Sequence, residues 1–180
     1  MKNLLCVPIN GMAGSGKDTF AAMAAEHVES IGADIVVHNV SSVDRVKQAA
    51  RLLGWHGDKD NKSRQFLSDI KDLATAYSNS PFKYMTGHVE RANRAIVFLH
   101  IREPEEITAI VEWCKTHMIH CQTLKISRTS VDIVDNNTGD VGSTLPYDYD
   151  IQVNNNLALA ELRLAAEEVV NTWIEKYKLT

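Results

Sequence analysis

The sequence predicts an α/β fold: a mostly parallel sheet of five strands flanked by helices on both faces. Three observations predict it. Short apolar runs alternate with longer stretches of helical periodicity. One run, Ala95 to Ile101, has almost no polar break, as a strand buried on both faces of a parallel sheet must. A turn rich in glycine, Gly11 to Gly16, joins the first strand to the first helix.

The elements follow in order. Leu4 to Ile9 is an apolar strand ended by Asn10-Gly11. Pro8 lacks a ladder donor, so pairing beside it is expected to be irregular. Asp18 to Ser30 carries Phe20, Met23, Ala24 and His27 at helical spacing and stops at Gly32. Ile35 to Val40 is β-branched and reads as the second strand. Ser41 and Ser42 are N-cap types for a helix from Val43 to Leu53, which Gly54 to Asp58 breaks. Lys59 to Ala76 is a charged helix with Phe66, Leu67, Ile70 and Leu73 on its apolar side, and Phe82 to Arg94 forms another helix. After Ala95 to Ile101, Pro104 opens a helix to about His117, with Glu105 and Glu106 at its positive end. Cys121 to Ile126 and Tyr149 to Val153 are the remaining strands. Leu157 to Tyr177 is an amphipathic helix carrying Leu162, Ala165, Val169, Trp173 and Tyr177, a face that suits docking on the sheet or a homodimer contact.

The 180 residues form one domain (1–180), with 44% apolar residues to build its core. No apolar run approaches the roughly 20 residues of a membrane-spanning helix. Met1 to Ile9 reads as a first strand, not a leader. The net charge of −4, with no basic block, argues against a nucleic-acid partner. Cys6, Cys114 and Cys121 are odd in number and irregularly spaced, which fits a reducing, cytoplasmic setting. Cys114, His117, His120 and Cys121 crowd four zinc-competent side chains together. They span a helix end and a strand, and real sites hold their ligand pairs further apart, so no zinc site is expected.

Gly11-Met12-Ala13-Gly14-Ser15-Gly16-Lys17-Asp18-Thr19 fits G-x-x-x-x-G-K between a strand and a helix, the context a phosphate loop requires. The glycines let successive N–H groups point at phosphate oxygens, and the helix adds its positive end. Lys17 reaches the β- and γ-phosphates as a point charge. ATP is therefore expected on Gly11, Ala13, Gly14, Ser15, Gly16, Lys17, Asp18 and Thr19. The usual Ser or Thr after the lysine is replaced by Asp18. Asp18, with Thr19, is a candidate ligand for Mg²⁺; the other reading is an acidic residue in the helix's first turn. The strand Ala95 to Ile101 ends without the usual acid. Glu103 is a further metal candidate and Arg102 a phosphate contact, or else Glu103 pairs with a neighbour. The weak strand-end acid favours a kinase over a motor ATPase.

GMAGSGKDT, the segment from Ser41 to Ala74 with Trp55, Gly57, Lys59, Asp60, Lys62 and Arg64, VFLHIREPEEI, and PYDYDIQVNNN occur in an order that resembles the phage and prophage deoxynucleoside monophosphate kinases. These belong to the nucleoside-monophosphate-kinase-like P-loop NTPase family. The resemblance implies a three-layer α/β/α fold, an acceptor-binding helical region about 41–94, and a lid loop about 127–145. It implies that Lys17 and the loop glycines bind ATP phosphates, that Arg64 contacts the acceptor, and that Arg128 contacts the transferring phosphoryl group from the lid. His100 stands where related chains often carry Asp.

The residues agree in outline. Arg45, Lys47, Arg51, Lys59, Lys62 and Arg64 make a cationic excess after the second strand, suited to a phosphorylated acceptor. Asp44 and Lys47 are acceptor candidates with Arg64. Trp55 either stacks on a base or covers the core. Arg51, Lys59 and Lys62 read as solvated charges, and Arg91 and Arg94 as surface residues. The expected activity is ATP-dependent phosphoryl transfer to a nucleoside or deoxynucleoside monophosphate. The alternatives are a kinase of the phosphomevalonate or dephospho-coenzyme A sort, or an ATP-binding module without turnover.

Overall fold

The computed structural model describes residues 3–129 and 145–179. Its strands are β1 (Leu4–Asn10), β2 (Val36–Ser41), β3 (Ala95–His100), β4 (His120–Cys121), β5 (Leu124–Ser127) and β6 (Ile151–Asn154). Its helices are α1 (Lys17–Ser30), α2 (Asp44–Leu52), α3 (Asn61–Ser78), α4 (Ser80–Arg91), α5 (Pro104–Thr116) and α6 (Leu159–Tyr177). The sheet order is β2-β3-β1-β5-β6, with β4 beside β1, and every pairing is parallel.

Alternation along the central strands divides the core. Leu5, Val7 and Ile9 of β1 with Ile96 and Phe98 of β3 face α1 and α6. Leu4 and Cys6 with Ala95, Val97 and Leu99 face α4 and α5. Both faces are buried, as the unbroken apolar run of β3 requires. α2 and α3 pack on each other and on α4.

The expected fourth strand is split in two, and Pro8 accounts for the break. Cys6 accepts a hydrogen bond at its carbonyl from the Gln122 N–H (3.1 Å), so Cys6, Pro8 and Asn10 turn their backbone groups toward this neighbour. Pro8 has no N–H to return, and the ladder lapses between Cys121 and Leu124. The register is the same on both sides of the gap: Leu5 pairs with His120 and Ile9 with Leu124. Side chains take over there. Gln122 Oε1 accepts from Trp173 Nε1 (2.7 Å), and Asp150 Oδ2 accepts from the Thr123 N–H (2.7 Å) and Oγ1–H (2.8 Å). Asp150 is thereby held ahead of β6, which starts at Ile151 rather than Tyr149.

Other differences are local. Asn79, left-handed at φ 51°, ends α3 and starts α4, so α4 begins two residues early and Pro81 sits in its first turn. α4 ends at Arg91 because Ala92 is extended, and Arg94, left-handed, pairs its guanidinium with Asp34 at the surface. The apolar side of α3 is not buried: Phe66, Leu67 and Ile70 are half-buried and Leu73 is exposed. That helix has neighbours in α2 and α4 and does not lie on the sheet. On α6 the buried line is Leu162, Ala166, Val170 and Trp173, shifted by one residue from Ala165 and Val169. This face docks on the sheet: Trp173 is fully buried and its ring centroid is 5.9 Å from that of Phe98.

Trp173→Ala should cost about 3–5 kcal/mol, the range for deleting a buried aromatic ring. Trp173→Phe keeps most of the packing but strands Gln122 Oε1, at about 1–3 kcal/mol. Urea unfolding of the two variants measures both values.

Candidate functional site

The carboxyl ends of β1, β3 and β5 meet at the Gly11–Lys17 loop, and the packing there leaves no room for a side chain at Gly11 or Gly16. A Cβ on Gly11 would lie 2.1 Å from the Ile126 carbonyl oxygen, and one on Gly16 would lie 2.4 Å from Asn155 Nδ2. Both residues also hold positive φ, 147° and 103°. The loop is thus shaped by its close approach to β5 and to the turn after β6.

Three of the loop's carbonyls are engaged by side chains. Lys17 Nζ donates to the Gly11 carbonyl and to the Met12 carbonyl (2.7 Å). Asn155 Nδ2 donates to the Ser15 carbonyl (2.8 Å). Buried Asn10 bridges two segments: its Oδ1 accepts from the Gly11 N–H, and its Nδ2 donates to the Arg102 carbonyl (2.9 Å). Among the described residues, the Ala13, Gly14 and Gly16 N–H groups make no hydrogen bond to protein. Gly16 is the N-cap of α1 and has no side chain to cap its first turn. Ser15 Oγ is buried without a partner. Open N–H groups, a helix N-terminus and a lysine suit a polyphosphate.

Several expected residues gather around this loop. Asp18 is exposed on the first turn of α1, its Oδ1 3.8 Å from His100 Nε2. His100 caps the end of β3 and contacts Asn39 Oδ1. Burial holds its imidazole below its usual value against the opposing pull of Asp18, with Lys17, Asp44 and Lys47 also in its field. Asp44 and Lys47 therefore lie in the electrostatic neighbourhood of the loop. Asp44 Oδ2 also accepts from the Ser41 N–H (2.8 Å), fastening the β2–α2 turn. Arg128 is exposed just past the end of β5, beyond the Ile126 carbonyl that abuts Gly11. The lid expectation falls mainly on residues 130–144, outside the described residues.

Other expected residues stand elsewhere. Trp55 does not join the core. It is half-exposed, its Nε1 donates to the Asp58 carbonyl (3.1 Å), and the Arg51 guanidinium lies over its ring. Arg64 Nε donates to the Lys59 carbonyl (3.0 Å) in the same α2–α3 turn. Glu103 pairs with Lys71 of α3 at 2.9 Å, and Glu106 shares that ammonium at 3.0 Å. This agrees with the neighbour-pairing alternative for Glu103. As candidate Mg²⁺ ligands, Asp18 and Thr19 are both exposed beside the open N–H groups and offer hard oxygen donors; the Glu103 carboxylate is committed to Lys71.

Two features lay outside the sequence reading. Asn155 appears in sequence as one of three turn asparagines, and only the fold brings it to Ser15. The second is a cleft of about 280 Å³ lined by Arg45 of α2 and Ser80, Lys83, Tyr84 and Arg91 of α4. It holds three cations and no acid. Arg91 folds back over Gly87, where a Cβ would sit 3.2 Å from its guanidinium, and the Arg45 guanidinium lies over the Tyr84 ring. In sequence Arg91 reads as a surface charge, because only the tertiary packing of α4 on α2 brings it to this cleft.

No family model and no curated protein sequence matches the chain. Solved structures do match in fold. The APS kinase CysC of Mycobacterium tuberculosis, in complex with AMPPNP and APS, aligns at a TM-score of 0.53 and 15% identity, covering 94% of this chain and 96% of that one. A protein of Chloroflexus aurantiacus provisionally named a kinase aligns at 0.53 and 10% identity, covering 96% and 98%. The chain has the α/β fold of P-loop kinases.

Lys71→Met should destabilise the fold by roughly 2 kcal/mol at pH 7, less than a fully buried pair because both carboxylates keep some contact with water. The loss should shrink as the pH falls. In the native protein, against the opposing pull of burial, Lys71 holds Glu103 below its usual range, while burial pushes Glu106 up. The Glu103 contribution is therefore present above the ordinary carboxylate range and lost on acidification. Without Lys71 both carboxyls move up, and their protonation on acidification relieves their repulsion. Thermal unfolding of both proteins from pH 4 to 8 checks the trend.

Proposed function

We propose that the chain is an ATP-dependent phosphotransferase whose acceptor is a nucleoside or deoxynucleoside monophosphate. The observation that carries the reading is the loop itself: carbonyls held by Lys17 and Asn155, N–H groups open, and a lysine poised at its rim. The Lys17 ammonium adds a charge-assisted contact to the ATP phosphates while it keeps the Gly11 and Met12 carbonyls engaged. Asp18 and Thr19 would hold Mg²⁺, which supplies charge neutralisation on the phosphates when bound.

The acceptor side is supported by the Arg45–Lys83–Arg91 cleft, whose three cations suit a dianionic phosphate. A phosphate oxygen of the acceptor forms the new bond to the γ-phosphorus while the β–γ bridge bond breaks, and ADP leaves. That oxygen is already anionic, so no general base is required. The engagement of Asp44 by the Ser41 N–H fits this, because the carboxylate is used to fasten a turn. Arg128 and Arg102 are the further cations proposed to face the transferring group. Arg64, Lys47 and Trp55 are proposed for the rest of the acceptor. In the mycobacterial kinase this fold holds AMPPNP and APS together, an ATP analogue beside an anionic nucleotide.

An ADP-release assay with Mg·ATP should show strong turnover with one or a few of the eight common ribo- and deoxynucleoside monophosphates. Lys17→Met should reduce kcat by at least a hundred-fold with the fold intact. Arg91→Ala should raise the acceptor KM by roughly ten-fold, the cost of about 1.4 kcal/mol of charge-assisted contact. Nucleotide binding without turnover on any monophosphate, with phosphomevalonate and dephospho-coenzyme A included, would leave the non-catalytic module.

A further inference from the structure

Three thiols converge in the core on the α5 side of the sheet. Cys6 lies on β1, Cys121 is its in-register neighbour on β4, and Cys114 comes from α5. Their Sγ atoms all lie within 4.8 Å of one another, and all three are free thiols. Cys6 and Cys114 are fully buried, and Cys121 is half-buried.

The arrangement differs from the one the local sequence suggested. The histidines of the Cys114-to-Cys121 segment turn to other partners. His117 Nδ1 faces the Trp113 carbonyl (2.8 Å) and its ring stacks on Trp113, while the His120 ring packs on Tyr177. The third donor is Cys6, from the first strand of the fold. Sequence spacing could not announce it, because the pairing of β1 with β4 creates the proximity.

The geometry suits a metal. Three atoms no more than 4.8 Å apart share a point within about 2.8 Å of each, and rotamer adjustment of a few tenths of an ångström closes this to the ~2.3 Å of a metal–thiolate bond. The donors are all soft sulfur, which selects thiophilic ions and disfavours Mg²⁺. They come from three separate elements, so the fold sets the site out before any ion arrives.

We infer that Cys6, Cys114 and Cys121 form a three-sulfur site for a thiophilic d¹⁰ metal ion, Cu⁺ or Zn²⁺. Binding displaces thiol protons to solvent and forms metal–sulfur bonds, with no change of oxidation state. The ion ties β1, which carries the phosphate loop, to β4 and α5. A Zn²⁺ ion takes water as a fourth ligand; Cu⁺ needs none.

The reduced full-length chain is titrated anaerobically with Cu⁺ against a chromophoric Cu⁺ chelator, and separately with Zn²⁺ against a zinc-binding dye. At least one ion should bind at one equivalent per chain and raise the melting temperature. X-ray absorption should show three sulfur neighbours. Cys121→Ser, at the half-buried position, should weaken binding at least ten-fold without changing the circular dichroism spectrum. The inference is overturned if neither ion binds stoichiometrically, if the bound ion lacks sulfur ligands, or if Cys121→Ser binds as tightly as the parent. Should that variant fail to fold, the sulfur count in the parent protein decides.

Discussion

The structure depends on which backbone groups of the Gly11–Lys17 loop are already engaged. A tight loop carries as many carbonyls as N–H groups, and exposed carbonyls would repel a phosphate. Here the carbonyls of Gly11, Met12 and Ser15 are drawn away by Lys17 and Asn155. The parallel sheet makes this possible, because it delivers the ends of β1, β5 and β6 to one edge. Asn155 reaches Ser15 from beyond β6, and the Ile126 carbonyl closes against Gly11 from β5. Any side chain at Gly11 or Gly16 meets one of these neighbours.

Charge placement follows the same edge. Asp18, His100, Asp44 and Lys47 cluster beside the loop, whereas the Arg45–Lys83–Arg91 cleft lies between α2 and α4. Asn10 and Lys71 connect these regions to the β3–α5 turn. Asn10 holds the Arg102 carbonyl, and Lys71 joins α3 to Glu103 and Glu106. The helices that follow β2 are thereby tied to the turn that carries Arg102. A chain of net charge −4 can in this way concentrate positive charge where anionic substrates would meet.

The fold class was legible because its signals are local. The apolar run of β3, the strand–glycine–helix junction and the helical periodicities each report on a few consecutive residues. Even the interruption opposite Pro8 could be anticipated, because a missing N–H is a property of one residue. What was not legible is relational. Asn155, Arg91 and Cys6 look ordinary in sequence and acquire roles only through partners far along the chain. The buried line of α6 was off by one residue at two positions because small and β-branched apolar residues adjoin there. Leu73 was assigned to a buried face that α3 does not have, since periodicity reports a stripe and not what covers it.

The most direct test of the central claim is hydrogen–deuterium exchange of the chain with and without AMPPNP and Mg²⁺. The account predicts slowed exchange concentrated in residues 11–20, and Lys17→Met abolishing the effect. Unchanged exchange at the loop under saturating nucleotide, or slowing confined to other segments, would contradict it.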